Sequence, residues 1–458
     1  MLSNAGAQAL LSPTEIDNDA HFLRAVTQMA DSEEITTAAP IFAANGTKLL
    51  EQGVSMSSRL YERLIQHRLA AAIDDQLTAK HPVDIRALEA QVHLLTGSSM
   101  LGQLLERAMG GKHYLLLGVL RHMKWPARAS FKLTVMRHQM PDLYEHSILM
   151  MMCAVYLGVQ EKLSLDDCAE LAAAALLHDV GMLFMPPHWR NASYILGPEE
   201  RKQLETHPVI AMLVVRSAQS YSVRAADAVL QHHERSDGSG YPSHATGEDI
   251  SHWGHILMLA EVASAFFSKY NDMPAQRLSL VLRMNHQRFD KTLTQHLFAL
   301  LAHDAQQQRV HHLSYTNAQV RQVVATLAAV MQHWTLCKRN LPEQWQTMRH
   351  ARALKYVEVR MQALEKSLAE SGSHPRQQVN WLAMFEEDPS SMAELVLINK
   401  EALWQVSSCV HTCLRRWPQV QQPLDAVDEV LHDWLGNCRQ VLGHLPAASP
   451  AATAGAVH

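Results

Sequence analysis

Two adjacent pairs, His178-Asp179 and His232-His233, are the residues of this chain best suited to chemistry. Neighbouring side chains on a helix point about 100° apart, so His178 and Asp179 cannot share one face. They can straddle two neighbouring cations, because a carboxylate has two oxygens and can bridge where an imidazole cannot. His232-His233 runs into Glu234-Arg-Ser-Asp-Gly-Ser-Gly-Tyr-Pro242, whose glycines, aspartate and proline force a tight loop that would hold the histidines still. His311-His312 is also a pair but lacks such a loop, and we assign it no site. His146, His207 and Glu261 could complete a set. Each alone reads as readily as a buried helix end, a core histidine or a stripe-edge carboxylate. Only the ordered set points to a site.

The elements that must position these groups read as helices. His178-Asp179 ends an apolar helix over 169–177, with Gly181 as a cap just beyond it. His232-His233 closes a helix over 225–231, and His207 before Pro208 suits a first helical turn. His146 lies near the start of an amphipathic helix over 143–157. A helix over 253–267 puts Glu261 at the edge of its buried stripe, where a carboxylate is costly unless paired or metal-bound. From 142 to about 301 the periodicity is helical throughout, with no strand-like alternation.

His146, His178-Asp179, His207, the string His232-His-Glu-Arg-x-Asp-Gly-x-Gly-Tyr-Pro242 and Glu261 together resemble the HD-GYP family of the HD phosphohydrolase superfamily, over about residues 131–302. The resemblance implies an all-helical domain with a binuclear, sometimes trinuclear, iron or manganese site. Such a domain hydrolyses cyclic di-GMP by a metal-bridged hydroxide, to a linear dinucleotide or on to GMP. Carried over by position, His146, His178 and Asp179 would bind one ion, and Asp179 would bridge to a second held by His207, His232 and His233. Glu261 stands where the family usually has an aspartate completing the first site. His178 and Asp179 are the candidate catalytic residues. Met182, Arg235, Asp237, Gly240, Tyr241, Pro242 and Lys269 are the candidate substrate contacts. The implied partners are cyclic di-GMP, a diguanylate cyclase or other signalling protein, and a second copy of the chain. Mixed imidazole and carboxylate ligands suit two iron or manganese ions.

Three positions depart from the family pattern. Met182 replaces the lysine that faces the substrate phosphate, which removes a cation where transition-state charge builds. Glu261 is one methylene longer than the usual aspartate. After its helix, Lys269-Tyr-Asn-Asp-Met273 offers one cation opposed by Asp272, where the family carries more basic residues. An active cyclic di-GMP phosphodiesterase is therefore weighed against a degenerate member that binds the nucleotide or a signalling partner without turnover. A metal phosphohydrolase for another nucleotide is the third reading.

The 458 residues include 28 histidines and carry a formal charge of −5, which gives no whole-face attraction for DNA. The apolar runs are too short to span a bilayer and no secretory leader is visible, so a cytoplasmic protein is expected. Six scattered cysteines fit a reducing compartment, and Cys409 and Cys413 read as core thiols. Between Arg107 and Pro141 the charged residues are all basic, either a solvated face or a surface for an anionic ligand. The expected fold is mainly α: an HD-type helical domain with a small N-terminal hairpin-plus-helix module and a helical C-terminal extension. The expected divisions are a poorly ordered 1–30, the module 31–95, a helical connector 96–130, the HD-GYP domain 131–302, a helical extension 303–370, a linker 371–380, a C-terminal helical region 381–444 and a disordered tail 445–458.

Overall fold

The computed structural model describes residues 19–110, 113–191, 194, 196–270, 273–305, 315–343, 345–348, 351–370, 373–375, 378 and 389–443. His311-His312, Asn271, Asp272, the start of the chain to residue 18, much of the expected linker, residues 381–388 and the tail from 444 lie outside them. Two compact units result. One takes the chain to residue 271 and returns for 287–304; the other takes 272–286 and continues from 305.

The first unit opens with helix α1 (Ala20–Met29) and a small β module. In it β1 (Ile35–Thr37) pairs antiparallel with β4 (Leu77–Ala79), and β2 (Ile41–Phe42) with β3 (Lys48–Leu50). Asn45-Gly46 turns between β2 and β3, with Gly46 at φ +85°, a conformation glycine adopts without steric cost. The stretch from Ser58 forms only a short helix. A 3-10 turn at 58–60 leads into α2 (Tyr61–Ile65), and Leu69 instead bridges to Ala43.

Helices α3 (Ile85–Ser98), α4 (Met100–Ala108), α5 (His113–His122) and α6 (Ala127–Gln139) precede the site. Four residues of the basic run have partners from other elements. Arg121 pairs with Glu89, Arg128 with Asp74 and Asp75, and Lys132 with Asp74, while Arg137 donates to the His81 carbonyl. Sequence periodicity could not reveal this, because the acidic partners come from other elements.

Around the site lie α7 (Pro141–Gln160), α8 (Leu165–Leu177), α9 (Pro198–Leu204), α10 (His207–Ser217), α11 (Val223–Gln231) and α12 (His252–Lys269). α7 is apolar on nearly every face rather than amphipathic, because α8 and α12 pack along it. Glu261 is likewise inside α12's buried surface, not at its edge, at 1% exposure. Gly181 lies in a 3-10 turn, Val180–Phe184, and does not act as a left-handed cap. It must be glycine for another reason: an added Cβ would sit 2.2 Å from the His207 carbonyl oxygen.

The second unit contains α13 (Pro274–Met284), α15 (Asn317–Asn340), α16 (Arg352–Glu370), α17 (Pro389–Arg416) and α18 (Ala426–Gly443); α14 (Lys291–Ala305) belongs almost wholly to the first. The charged helix α16 begins at Arg352. Trp334 and Trp434 meet edge-on in the second unit's core, beside buried Cys337, Cys409, Cys413 and Cys438. His411, between two of these cysteines, instead bonds to the Ser407 carbonyl. Among the described residues, no helix is long and apolar enough to cross a membrane.

Overpacking a tight backbone approach costs about 1–3 kcal/mol. Gly181→Ala should therefore lower the urea unfolding free energy by an amount in that range. An unchanged midpoint would show that the turn yields freely.

Candidate metal centre

Three histidines reach the centre by one local device. The last carbonyls of a helix have no partner within it. His178 at the end of α8 turns its Nδ1 to the Ala175 carbonyl (2.8 Å), and His232 at the end of α11 does the same to Val229 (2.6 Å). His207 approaches the last carbonyl of α9, Leu204 (2.8 Å). With Nδ1–H donated to a carbonyl, the tautomer and ring direction are fixed and Nε2 is left for a cation.

Those three Nε2 atoms meet at Asp179. Its Oδ1 lies 3.1 Å from His207 and 3.5 Å from His232, and its Oδ2 lies 3.2 Å from His178. The Nε2 atoms of all three histidines and Oδ1 of Asp179 are buried without hydrogen-bond alignment to any partner. Buried polar atoms facing one another at such distances fit a bound cation better than a folded core. The donor atoms gather into two groups, Asp179 with His207, His232 and His233, and Asp179 with His146 and His178, each within 4.8 Å of one another. The residues present therefore form a His/Asp cluster able to hold metal. Glu261 flanks the second group, with Oε2 2.7 Å from His146 Nε2 and 3.3 Å from His178 Nε2.

The loop after His233 is braced from within. The buried Glu234 carboxylate accepts from Ser243 N (2.7 Å) and Ala245 N (3.0 Å), and Arg235 donates to the Glu234 carbonyl (2.6 Å). Asp237 accepts from Ser239 N (3.0 Å). Gly240 passes so close to the Glu234 backbone that a Cβ would approach it to 2.4 Å. The Tyr241 ring lies 4.7 Å from His233, before Pro242. Arg235, Asp237 and Gly240 thus hold the loop, and Tyr241 reaches the histidines. Met182 is buried at 7% exposure in the turn after Asp179, its N–H donated to the Asp179 carbonyl (2.9 Å). The Lys269 ammonium lies 5.3 Å from the Tyr270 ring centroid.

Sequence reasoning missed Arg288. Its guanidinium donates to Ser239 Oγ (2.9 Å) and lies 3.4 Å from Asp237, while its carbonyl accepts from Ser236 N (3.1 Å). It lies far along the chain from the loop it clamps, inside no motif, so no local signal could have found it.

Charge in the centre is sharply divided. Burial alone would lower the His178 pKa, but Asp179 and Glu261 outweigh it and push the imidazole up to about 10. Burial would raise Asp179, but His178, His207 and His232 hold its carboxyl well below the usual range. Burial lowers His232 to about 4 and, with His232 and His207 adding to it, holds His233 well below its usual value. Burial and then Asp179 hold the Tyr241 phenol well above its ordinary value, so it keeps its proton at neutral pH.

A cation that takes His178 Nε2 must displace the proton stored there. His178 stays protonated below its raised pKa of about 10, so cation uptake through it strengthens as pH rises toward that value. His232 and His233 are already neutral and add nothing to the slope. Mn²⁺ affinity measured calorimetrically from about pH 6.5 to 8.5 should rise roughly tenfold per pH unit, with proton release. A flat profile would show that His178 stores no proton.

The HD domain family matches residues 133–293. The cyclic di-GMP phosphodiesterase PdeB of Borreliella burgdorferi is 32% identical over 120 residues, 26% of this chain and 31% of that protein. A cyclic di-GMP phosphodiesterase of Pseudomonas aeruginosa is 29% identical over 138 residues, 30% of this chain and 33% of that one. The chain thus spans about a third of the length of the curated relatives it matches. A solved HDG"Y"P protein from Bdellovibrio bacteriovorus aligns over 58% of this chain and 95% of its own at 14% identity, with a TM-score of 0.33, too low to carry weight. The matched segment contains the His-Asp pair and the whole His-His-Glu-Arg-x-Asp-Gly-x-Gly-Tyr-Pro string, so over residues 133–293 the chain matches the HD domain family and is similar to these cyclic di-GMP phosphodiesterases.

Proposed function

We propose that this protein is a metal-dependent phosphodiesterase that hydrolyses cyclic di-GMP, with two iron or manganese ions. The observation that carries the reading is Asp179's membership of both donor groups, one carboxylate oxygen toward His207 and His232 and the other toward His178. When bound, paired ions clamp phosphoryl oxygens as Lewis acids and make water nucleophilic at neutral pH. The chain's own residues do the remaining work. Asp179 would offset the charge of both ions, the carbonyl-anchored histidines would present their Nε2 atoms to them, and Glu261 sets the His146 ring. Tyr241 keeps an O–H beside His233, able to donate to a substrate oxygen. The names of the relatives support cyclic di-GMP as the nucleotide.

Replacing His178 and Asp179 together by alanine should abolish turnover and strip bound metal, because two cations lose the carboxylate they share. Metal content of the purified double variant, read beside cyclic di-GMP hydrolysis and a second cyclic dinucleotide, checks this. Full stoichiometry in the variant would sink the assignment.

A second reading, in which the nucleotide is bound without turnover, turns on Met182, a buried thioether where the family resemblance puts an ammonium. One well-placed charged donor is worth about 2.7–4 kcal/mol in a transition state, roughly 10²–10³ in rate. Met182→Lys should raise cyclic di-GMP turnover, by up to that range. A folded, metal-loaded variant whose rate does not rise would remove Met182 from the phosphate site.

A further inference from the structure

Helix α1 reaches the turn that follows Asp179. Asp19 caps α1, its Oδ1 accepting from His21 N (2.8 Å) and Phe22 N (3.2 Å), which fixes Phe22 at the helix start. Phe22 is wholly buried and stacks on Phe184, with ring centroids 5.0 Å apart and planes 24° from parallel. Phe184 ends the 3-10 turn that begins directly after Asp179.

Phe22 is itself held. The Lys132 ammonium of α6 lies 5.2 Å from its ring centroid, and that ammonium is paired with Asp74 of the β module. Both ions are buried, at 1% exposure for Lys132 and 3% for Asp74, so neither can leave the other without a large desolvation cost. The same turn also touches α10 through Gly181, whose absent Cβ leaves room for the His207 backbone. One short turn therefore carries Asp179 at its start, meets His207 at Gly181 and receives Phe22 at Phe184.

We propose, resting on the metal-centre reading above, that Phe22 is a positioning residue for the ion held by Asp179, His207, His232 and His233. Its ring backs the turn that sets the 3.1 Å separation of Asp179 Oδ1 and His207 Nε2. Helix α1 then tunes metal occupancy through the turn after Asp179, without touching the centre.

The test uses the full chain, stripped with a chelator and titrated with Mn²⁺ by calorimetry, with metal content measured independently. Outer groups that orient ligands typically cost about 10–100-fold in metal affinity when removed. Phe22→Ala should weaken one of two uptake events by about that factor and leave the other much less changed. Phe22→Leu, which keeps an apolar group in place, should fall between wild type and alanine, and serves if the alanine variant does not fold. Met29→Ala removes an equally buried side chain two turns along the same helix, so it controls for general loosening. It should lower thermal stability and leave both uptake events unchanged. Wild-type curves in both Phe22 variants overturn the inference alone, as does equal weakening in Met29→Ala. Wild type that takes up no ion overturns the metal-centre reading beneath it.

Discussion

A single buried carboxylate governs this site. Asp179 is 4% exposed and its two oxygens face different sets of imidazoles. An ionised carboxylate so far from water is costly unless positive charge stands close on both sides. The surrounding fold meets that demand by bringing α8, α10 and α11 to one point with a histidine each. Those histidines are at once helix caps and donors, so backbone satisfaction and site geometry are one requirement.

The loop behind His233 follows the same economy. Glu234, Arg235 and Asp237 are charged residues in a confined place, and their hydrogen bonds go to the loop's own backbone or to Ser239 and Arg288. A segment closed in this way presents His232 and His233 from a rigid base. Such rigidity suits a centre whose ligands must stay within a few tenths of an ångström of their positions.

Much of this was legible in the chain. The ordered set His146, His178, Asp179, His207, His232, His233 and Glu261 was expected to meet through its resemblance to a known family, and the structure brings these side chains together. What was illegible depended on separate elements meeting. Glu261 looked like a stripe-edge residue because one helix's periodicity cannot reveal that α12 is covered on every side near it. Gly181 looked like a cap, yet it is glycine because His207, a later residue, passes against it. The basic run near α6 looked like a patch because Asp74 and Glu89 were not neighbours in sequence. Phe22 carried no signal at all; an apolar residue on an amphipathic helix says only that something covers it.

The path of the chain between the two units has a practical meaning. The second unit begins at 272, yields to 287–304 and resumes at 305, so its first helix, α13, is separated from its remaining helices by α14 of the other unit. Cutting after residue 304 would not release a clean first unit. It would keep α13 while discarding α16 and α17, against which it packs, and bare Leu278 and Leu282, both wholly buried in the intact protein. A fragment of that kind carries an apolar stripe with nothing to cover it, the usual prelude to aggregation. The chain thus passes between the two units three times, and evolution can lose or swap the second unit only by rebuilding the segment 272–286.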